Sequence, residues 1–374
     1  MQPRTRGVEM KNSFGNSITV TLFGESHGEY IGAVLDGLAP GIKINREYIS
    51  AKLALRRPSG SISTARVEAD EYRIVSGEYR GYTTGAPLCI LIPNSAQKSS
   101  DYGEKIDVPR PSHADYTADV KYHGYEDPRG GGHFSGRLTA AIVAAGALLG
   151  AALETKGIGI GSHITELHGA FDRPFEDYES DISLLRDKQF PVLTESAEEK
   201  MKKEIEKAKE SGDSVGGILE SAVIGMPAGI GEPWFDSMES MLSHALFSIP
   251  AVKGVEFGLG FAFADTTGSE ANDCLKVVDG RVVTTTNNNG GINGGITNGM
   301  PIIFRTVIKP TPTIFKPQES ISLSKMENTI LQSKGRHDPA IVHRARAVVD
   351  AITAIVMADM LTVRYGTDYL AEEK

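Results

Sequence analysis

The chain has 374 residues, of which 40% are hydrophobic and 23% charged, with a formal net charge of −9. That composition fits a large buried core and excludes the disordered and fibrous classes, while the acidic balance argues against a nucleic-acid binder, which presents a basic stripe. The only two cysteines are Cys89 and Cys274, and C-x-x-C and H-E-x-x-H patterns are both absent, so no metal site is expected and a reducing compartment is.

The opening MQPRTRGVEMKNS has basic residues but no apolar segment of the signal-peptide kind, with Met10 an alternative start, so a cytoplasmic location is expected. A strand leads into GESHG at 24–28, which fits G-x-S-x-G, the turn on which α/β-hydrolases mount a nucleophilic serine. The following EYIGAVLDGLAPG reads as a strand where such an elbow requires a helix, which weakens Ser26 as a nucleophile. REYISAKLALRR (46–57) reads as a helix, and GYTTGAPLCILI (81–92) as a turn entering a strand. SGRLTAAIVAAGALLGAAL (135–153) reads as a long helix whose apolar run, 140–153, falls short of a bilayer span of about 20 residues. ESAEEKMKKEIEKAKESGD (195–213) reads as a solvated connector helix with a capping box of Ser196 and Glu199. A helix at 235–249, a turn and strand at 295–308 and a second long helix at 339–361 complete the series. Ala144, Ala147 and Ala151 in the first long helix, and Ala347, Ala351 and Ala354 in the second, form small-residue faces that predict close central packing.

Two stretches repeat. GESHGEYIGAVLDGLAPGI (24–42) and GDSVGGILESAVIGMPAGI (212–230) share Gly24, Ser26, Gly28, Gly37, Gly41 and Ile42 at a constant separation of 188 residues. GYTTGAP and GITNGMP follow in the same order, which predicts one domain of two related halves, approximately 10–190 and 212–365, joined by the 195–213 helix. The second copy keeps both glycines and the serine but carries Val215 where the first has His27. Turn geometry explains the shared frame, since glycine supplies φ > 0. His27 is the asymmetric element, and asymmetry within a duplicated fold is where a site is expected.

Arginines and histidines gather in RRPSGSISTAR (56–66), RPSHADYTADVKYH (110–123), RGGGHFSGR (129–137) and GRHDPAIVHRAR (335–346). In an acidic chain these islands suggest a pocket for an anionic small molecule, because the planar guanidinium binds carboxylate or phosphate bidentately. Gly130-Gly131-Gly132 ahead of a helix allows backbone N–H groups to approach an anion. There is neither a P-loop nor a Rossmann glycine pattern.

Taken in order, SFGNSITVTLFGESHG, RRP, RPSHADYTADVKYHG, RGGG, GDSVGG, PAVKGVEFG, NNGGINGGITNG, KPTPTI and GRHDP resemble the chorismate synthase family across nearly the whole chain. The resemblance implies an α+β fold, a β-α-β sandwich of long central helices flanked by antiparallel sheets. It also implies a lyase of the shikimate pathway, which eliminates phosphate from 5-enolpyruvylshikimate 3-phosphate in a 1,4-anti sense to give chorismate. The cofactor implied is reduced FMN, with NADP as the associated nicotinamide and an external flavin reductase or reductant; the assembly implied is a homotetramer, with no nucleic acid or membrane partner. By motif, His27 matches the residue that protonates the reduced flavin, His113 the one that serves the leaving phosphate, and Asp338 the acid that helps flavin N5 act as a base. Arg56, Arg57, Arg110, Arg137 and Arg336 match the basic substrate pocket, and Ser135, Ala251, Gly294, Lys309, Thr311, Thr313 and Arg336 the flavin contacts. The chain departs from the family at His133-Phe134-Ser135-Gly136-Arg137, where Arg-Ser-Ser-Ala-Arg is common, and at Ser112, where glycine is common; Arg66 is the candidate for a basic contact missing after RRP. Two other readings are a flavin- or anion-binding protein without catalysis and a hydrolase using Ser26.

Overall fold

The structure is a computed structural model and describes residues 11–58, 62, 70–94, 106–333 and 338–372. Its centre is a pair of long helices, Thr139–Thr155 and Val342–Tyr365, packed on one another. The first is buried on nearly every side, which suits its run of Ala, Leu, Ile and Gly. The helical stretch Gly136–Thr155 reaches 20 residues, with an 18-residue window of mean hydropathy 1.7, long and apolar enough to cross a membrane, yet 83% of that window is buried inside the protein. The helices approach closely at Gly146, where an added Cβ would lie 2.3 Å from the carbonyl oxygen of Ala351. Of the alanine faces expected from sequence, Ala147, Ala347, Ala351 and Ala354 line this seam, joined by Gly146 and Gly150 of the first helix.

Each long helix carries one five-stranded antiparallel sheet. Next to the first lie Ser13–Phe14, Thr19–Gly24, Tyr30–Asp36, Leu88–Pro93 and Arg73–Ser76, in that spatial order. Next to the second lie Ala170–Phe171, Gly159–Leu167, Gly217–Ile224, Ile302–Ile308 and Val252–Phe257. Four strands of each sheet follow the same order, the edge strands Ser13–Phe14 and Ala170–Phe171 differing because one precedes and the other follows its neighbour in the chain, and the helices Arg46–Arg56 and Met238–Leu246 occupy the same place among those four. Tyr30–Asp36 alternates less than a one-sided strand would, with Ile31, Gly32 and Ala33 all buried, because Phe23 and the first long helix cover it from two directions.

The turn motif GYTTGAP serves the same purpose in both halves. The Thr83 hydroxyl donates to Ala39 O and accepts from Ile42 N, while its backbone pairs with Gly41 and Ile42. Thr297 repeats this bond for bond with Pro227, Gly229 and Ile230. A threonine hydroxyl both donates and accepts, so one small side chain satisfies two backbone groups of the opposite turn.

The connector helix is Glu195–Glu210, and its N-cap is Thr194, whose hydroxyl accepts from Ala197 N. The expected Ser196–Glu199 capping box does not form. Asp172 accepts three bonds from the Leu193 N, Thr194 N and Thr194 hydroxyl donors, and that long-range anchor sets the helix start two residues earlier. Its apolar face, Ala197, Met201, Ile205 and Ala208, is buried, so the connector is amphipathic.

Candidate active site

The glycine run begins the site. Gly130, Gly131 and Gly132 have φ of 60°, 86° and 52°, a left-handed series that only glycine enters freely. Gly132 O accepts from Ser26 N at 3.0 Å, docking the GESHG turn onto the run. A Cβ on Gly130 would fall 2.4 Å from His27 Cε1 and 2.6 Å from its Nδ1, so the absent side chain is what admits the ring. A Cβ on Gly131 would fall 3.4 Å from His113 Cε1 and 3.5 Å from its Nε2. Two histidines distant in sequence therefore meet neighbouring residues of one loop. His27 is 7% exposed.

His113 is held from behind. Its Nδ1 lies 2.6 Å from Asp115 Oδ1. Arg110 forks onto the same carboxylate, Nη2 to Oδ1 at 2.7 Å and Nε to Oδ2 at 2.8 Å, and its backbone N adds a bond of 2.9 Å. Burial alone would raise the Asp115 carboxyl, yet the hydrogen bonds and charges of Arg110 and His113 hold it well below the usual carboxylate range. Ser112 has φ 59°, the conformation that glycine would take without strain.

Lys309, from the second half, donates to Ser112 O at 2.6 Å, and its backbone N donates to Ala251 O at 2.9 Å. Burial and the neighbouring Lys253 lower the Lys309 ammonium from its ordinary value. Thr311 donates its hydroxyl to Asp338 O at 2.7 Å, and Asp338 Oδ2 accepts from Arg344 Nη1 at 2.5 Å. Arg344 Nε then reaches Arg56 O at 2.9 Å, so the seam between the halves is stitched through groups of the site.

The arginines are more engaged than a simple anion pocket predicts. Arg56 gives Nη1 to Asp70 Oδ2 at 3.0 Å, Nε to Thr139 Oγ1 at 2.8 Å and Nη2 to Gly136 O at 3.0 Å. Arg137 pairs with the other oxygen of Asp70 and gives Nε to Asn94 Oδ1 at 2.9 Å. Asp70 is fully buried between them, a compensated arrangement in which loss of any partner strands a charge. Arg57 is half-buried beside Arg56. Ser135 accepts from Arg137 N at 3.3 Å, and Thr313 is half-buried two residues beyond Thr311. Gly294 is exposed on a hairpin whose neighbour Gly295 bonds Met238, and among the described residues none of that hairpin's bonds reaches the histidines. Arg336 and Arg66 lie outside the described residues.

A cavity of about 720 Å³ opens beside the glycine run, lined by His113, Gly131 and His133 but also by Glu25, Asp107, Asp119, Glu126 and Asp127. Arg56, Arg137 and Asp338 do not line it. None of its described lining residues is Arg or Lys, so the positive charge for an anion beside His113 has to come from outside that lining. His133 braces the run, its Nδ1 2.8 Å from Gly24 O and its Nε2 3.2 Å from Asn12 Oδ1, and Phe134 packs edge-on against Tyr122. His343, grouped with the site by sequence, is instead a core residue stacked on Phe190, and burial pushes it down to about 3.

Asp70, Asp115 and Arg344 were not singled out by sequence. Asp115 had a local signal, two residues after His113 in RPSHAD, the spacing at which a carboxylate can reach back to a ring nitrogen. Asp70 and Arg344 pair across long stretches of chain and had none.

A chorismate synthase family profile matches residues 18–362. The chorismate synthase of Thermococcus gammatolerans is 48% identical over 350 residues, covering 94% of this chain and 97% of that one. That of Pyrococcus abyssi is 47% identical over 351 residues, with 94% and 97% covered. A crystal structure of a chorismate synthase superposes with a TM-score of 0.74 at 28% identity, covering 95% of both chains. The chain is an enzyme, a lyase, and belongs to the chorismate synthase family.

Proposed function

We propose that the chain converts 5-enolpyruvylshikimate 3-phosphate to chorismate and phosphate by a 1,4-anti elimination with reduced FMN, in the shikimate pathway of aromatic amino acid biosynthesis. The observation that carries this reading is the meeting of His27 and His113 at adjacent glycines of one run. Imidazole exchanges a proton near neutral pH, so His27 is the proton donor toward the cofactor and His113 Nε2 the one toward the departing phosphate. Asp338, beside Arg344, is the carboxylate that supports removal of the C6 hydrogen. Arg56, Arg57, Arg137 and Arg336 supply positive charge for a substrate with two carboxylates and a phosphate. Arg110 adds to that field even while two of its nitrogens hold Asp115.

The donors at the seam suit a phosphate-bearing cofactor rich in hydrogen-bonding groups: the Lys309 ammonium, the hydroxyls of Ser135, Thr311 and Thr313, the backbone of Ala251 and a glycine run open to close approach. Gly294 and Arg336 complete the set proposed to hold it. When bound, reduced FMN supplies the electron donation that assists phosphate loss and an acceptor for the C6 hydrogen.

The fold is read as a β-α-β sandwich arising by internal duplication, one domain with halves 10–190 and 212–365. Support comes from the matching order of four strands in each sheet and from the repeated threonine bonds of Thr83 and Thr297. A cytoplasmic homotetramer supplied with reduced flavin by an external reductase completes the proposal.

An anaerobic assay with reduced FMN and 5-enolpyruvylshikimate 3-phosphate tests it. Chorismate and phosphate appearing together is the expected result; flavin binding without turnover would leave a binding protein instead.

A further inference from the structure

We infer that Asp115 is a positioning residue for His113, holding its ring with a hydrogen on Nδ1 so that Nε2 is the atom that exchanges a proton with substrate. The inference rests on the reaction read above for what the proton transfer does, but not for the geometry.

The carboxylate is 3% exposed and lies 2.6 Å from Nδ1. An ionised carboxylate only accepts, and the hydrogen bonds and charges of Arg110 and His113 keep Asp115 ionised against its burial, so the hydrogen between the two side chains belongs to Nδ1. Arg110 Nη2 lies 3.1 Å from Nδ1, but a guanidinium has no acceptor. Both therefore aim their hydrogens at Asp115 Oδ1, and four donors converge on one carboxylate: the Arg110 backbone N, Nε and Nη2, and His113 Nδ1. Asp115 opens the helix Asp115–Tyr122, so its backbone is fixed by the first helical turn and its negative charge is favoured there.

With Nδ1 committed, the ring presents its Cε1–Nε2 edge to Gly131 and the cavity. A buried carboxylate behind an imidazole fixes the ring's orientation, holds the imidazolium from which Nε2 donates, and selects the Nδ1–H tautomer left after the transfer, the counterpart of a role well measured in serine proteases. Asp115 does this through His113 and does not itself touch the reacting atoms.

Nitrogen NMR of protein labelled at histidine, at a pH where the His113 ring is neutral, is the first test. Wild type should show His113 as the Nδ1–H tautomer; an Nε2–H ring would overturn the inference whether or not any variant folds. Asp115→Asn should redistribute the tautomers, and Arg110→Gln, which leaves the Asp115–His113 bond in place, should not. In the anaerobic assay Asp115→Asn should lower kcat by about 10²–10⁴ with little change in KM, and should add nothing in a His113→Ala background. A kcat equal to wild type, or an undiminished further loss beside His113→Ala, would overturn it. An inactive wild type with the Nδ1–H tautomer would sink the reaction and leave the positioning intact.

Discussion

The turns GESHG at 24–28 and GDSVG at 212–216 have the same frame and opposite contents. Gly24 and Gly212 have φ of 100° and 67°, whereas Gly28 and Gly216 do not enter the left-handed region. Only the first glycine of each turn is required by dihedral angle; Gly216 is required by space, since a Cβ there would lie 2.4 Å from Ile308 O. Each turn docks on the segment that enters a central helix, Ser26 N to Gly132 O and Val215 N to Pro339 O. His27 and Val215 are buried alike, 7% and 5% exposed. The difference teaches that the fold needs only a modest side chain at this position. Val215 joins the apolar core, while His27 sits against a glycine run with room for its ring, which is the placement the proposed proton-donor role requires.

The two sheets can be contrasted in the same way, and mutation can break or sharpen the contrast. The second sheet holds a buried polar cluster that serves structure: His163, fully buried, lies 3.1 Å from Glu220 and 3.4 Å from Asp172, and ties the Asp172–Thr194 anchor to the sheet. His163→Ala removes one partner from each of two buried carboxylates, which keep the donors of Leu193, Thr194 and Phe175, and should cost about 1–3 kcal/mol, read by chemical denaturation, with no selective effect on turnover. Burial alone would lower His163, but its two carboxylate partners raise it. A raised folded value means that its contribution is full below about pH 6.5 and fades as pH rises through the folded value. Melting curves from pH 6 upward should therefore converge between wild type and His163→Ala.

Gly130→Ala, in the first half, should lower kcat by about 10² by displacing His27, with a smaller loss of melting temperature from the positive φ. Near-normal turnover would show that the run does not set the ring. Arg344→Ala should release Asp338 from the seam and lower kcat by about tenfold, while Arg344→Lys recovers part of it. Lys316→Ala breaks an exposed pair with Asp213 in the second turn and should change stability by less than about 1 kcal/mol, with turnover unchanged.

Periodicity and punctuation made the framework legible. The strand after GESHG, both long helices and both G-x-T-x-G-x-P strands follow from local patterns and stand where those patterns put them. Repetition in the sequence drew attention to His27, because the similar turn at 212–216 carries Val215 at that position. What stayed hidden depends on partners distant in sequence. Asp172 moved the connector cap from Ser196 to Thr194, Asp70 absorbed guanidinium groups of Arg56 and Arg137, and Arg344 reached both Asp338 and Arg56. The close helix contact at Gly146 escaped for a related reason: alanine stripes mark a possible face, but only the crossing point decides which residue must have no side chain.

The central claim is that the shared serine builds the turn and the unshared histidine works in it. Turnover of His27→Ala and Ser26→Ala, measured side by side with reduced FMN under anaerobic conditions, tests this most directly. A loss of about 10²–10⁴ in kcat for His27→Ala, with Ser26→Ala within a few-fold of wild type, is the predicted result. An active His27→Ala beside an inactive, folded Ser26→Ala would contradict it.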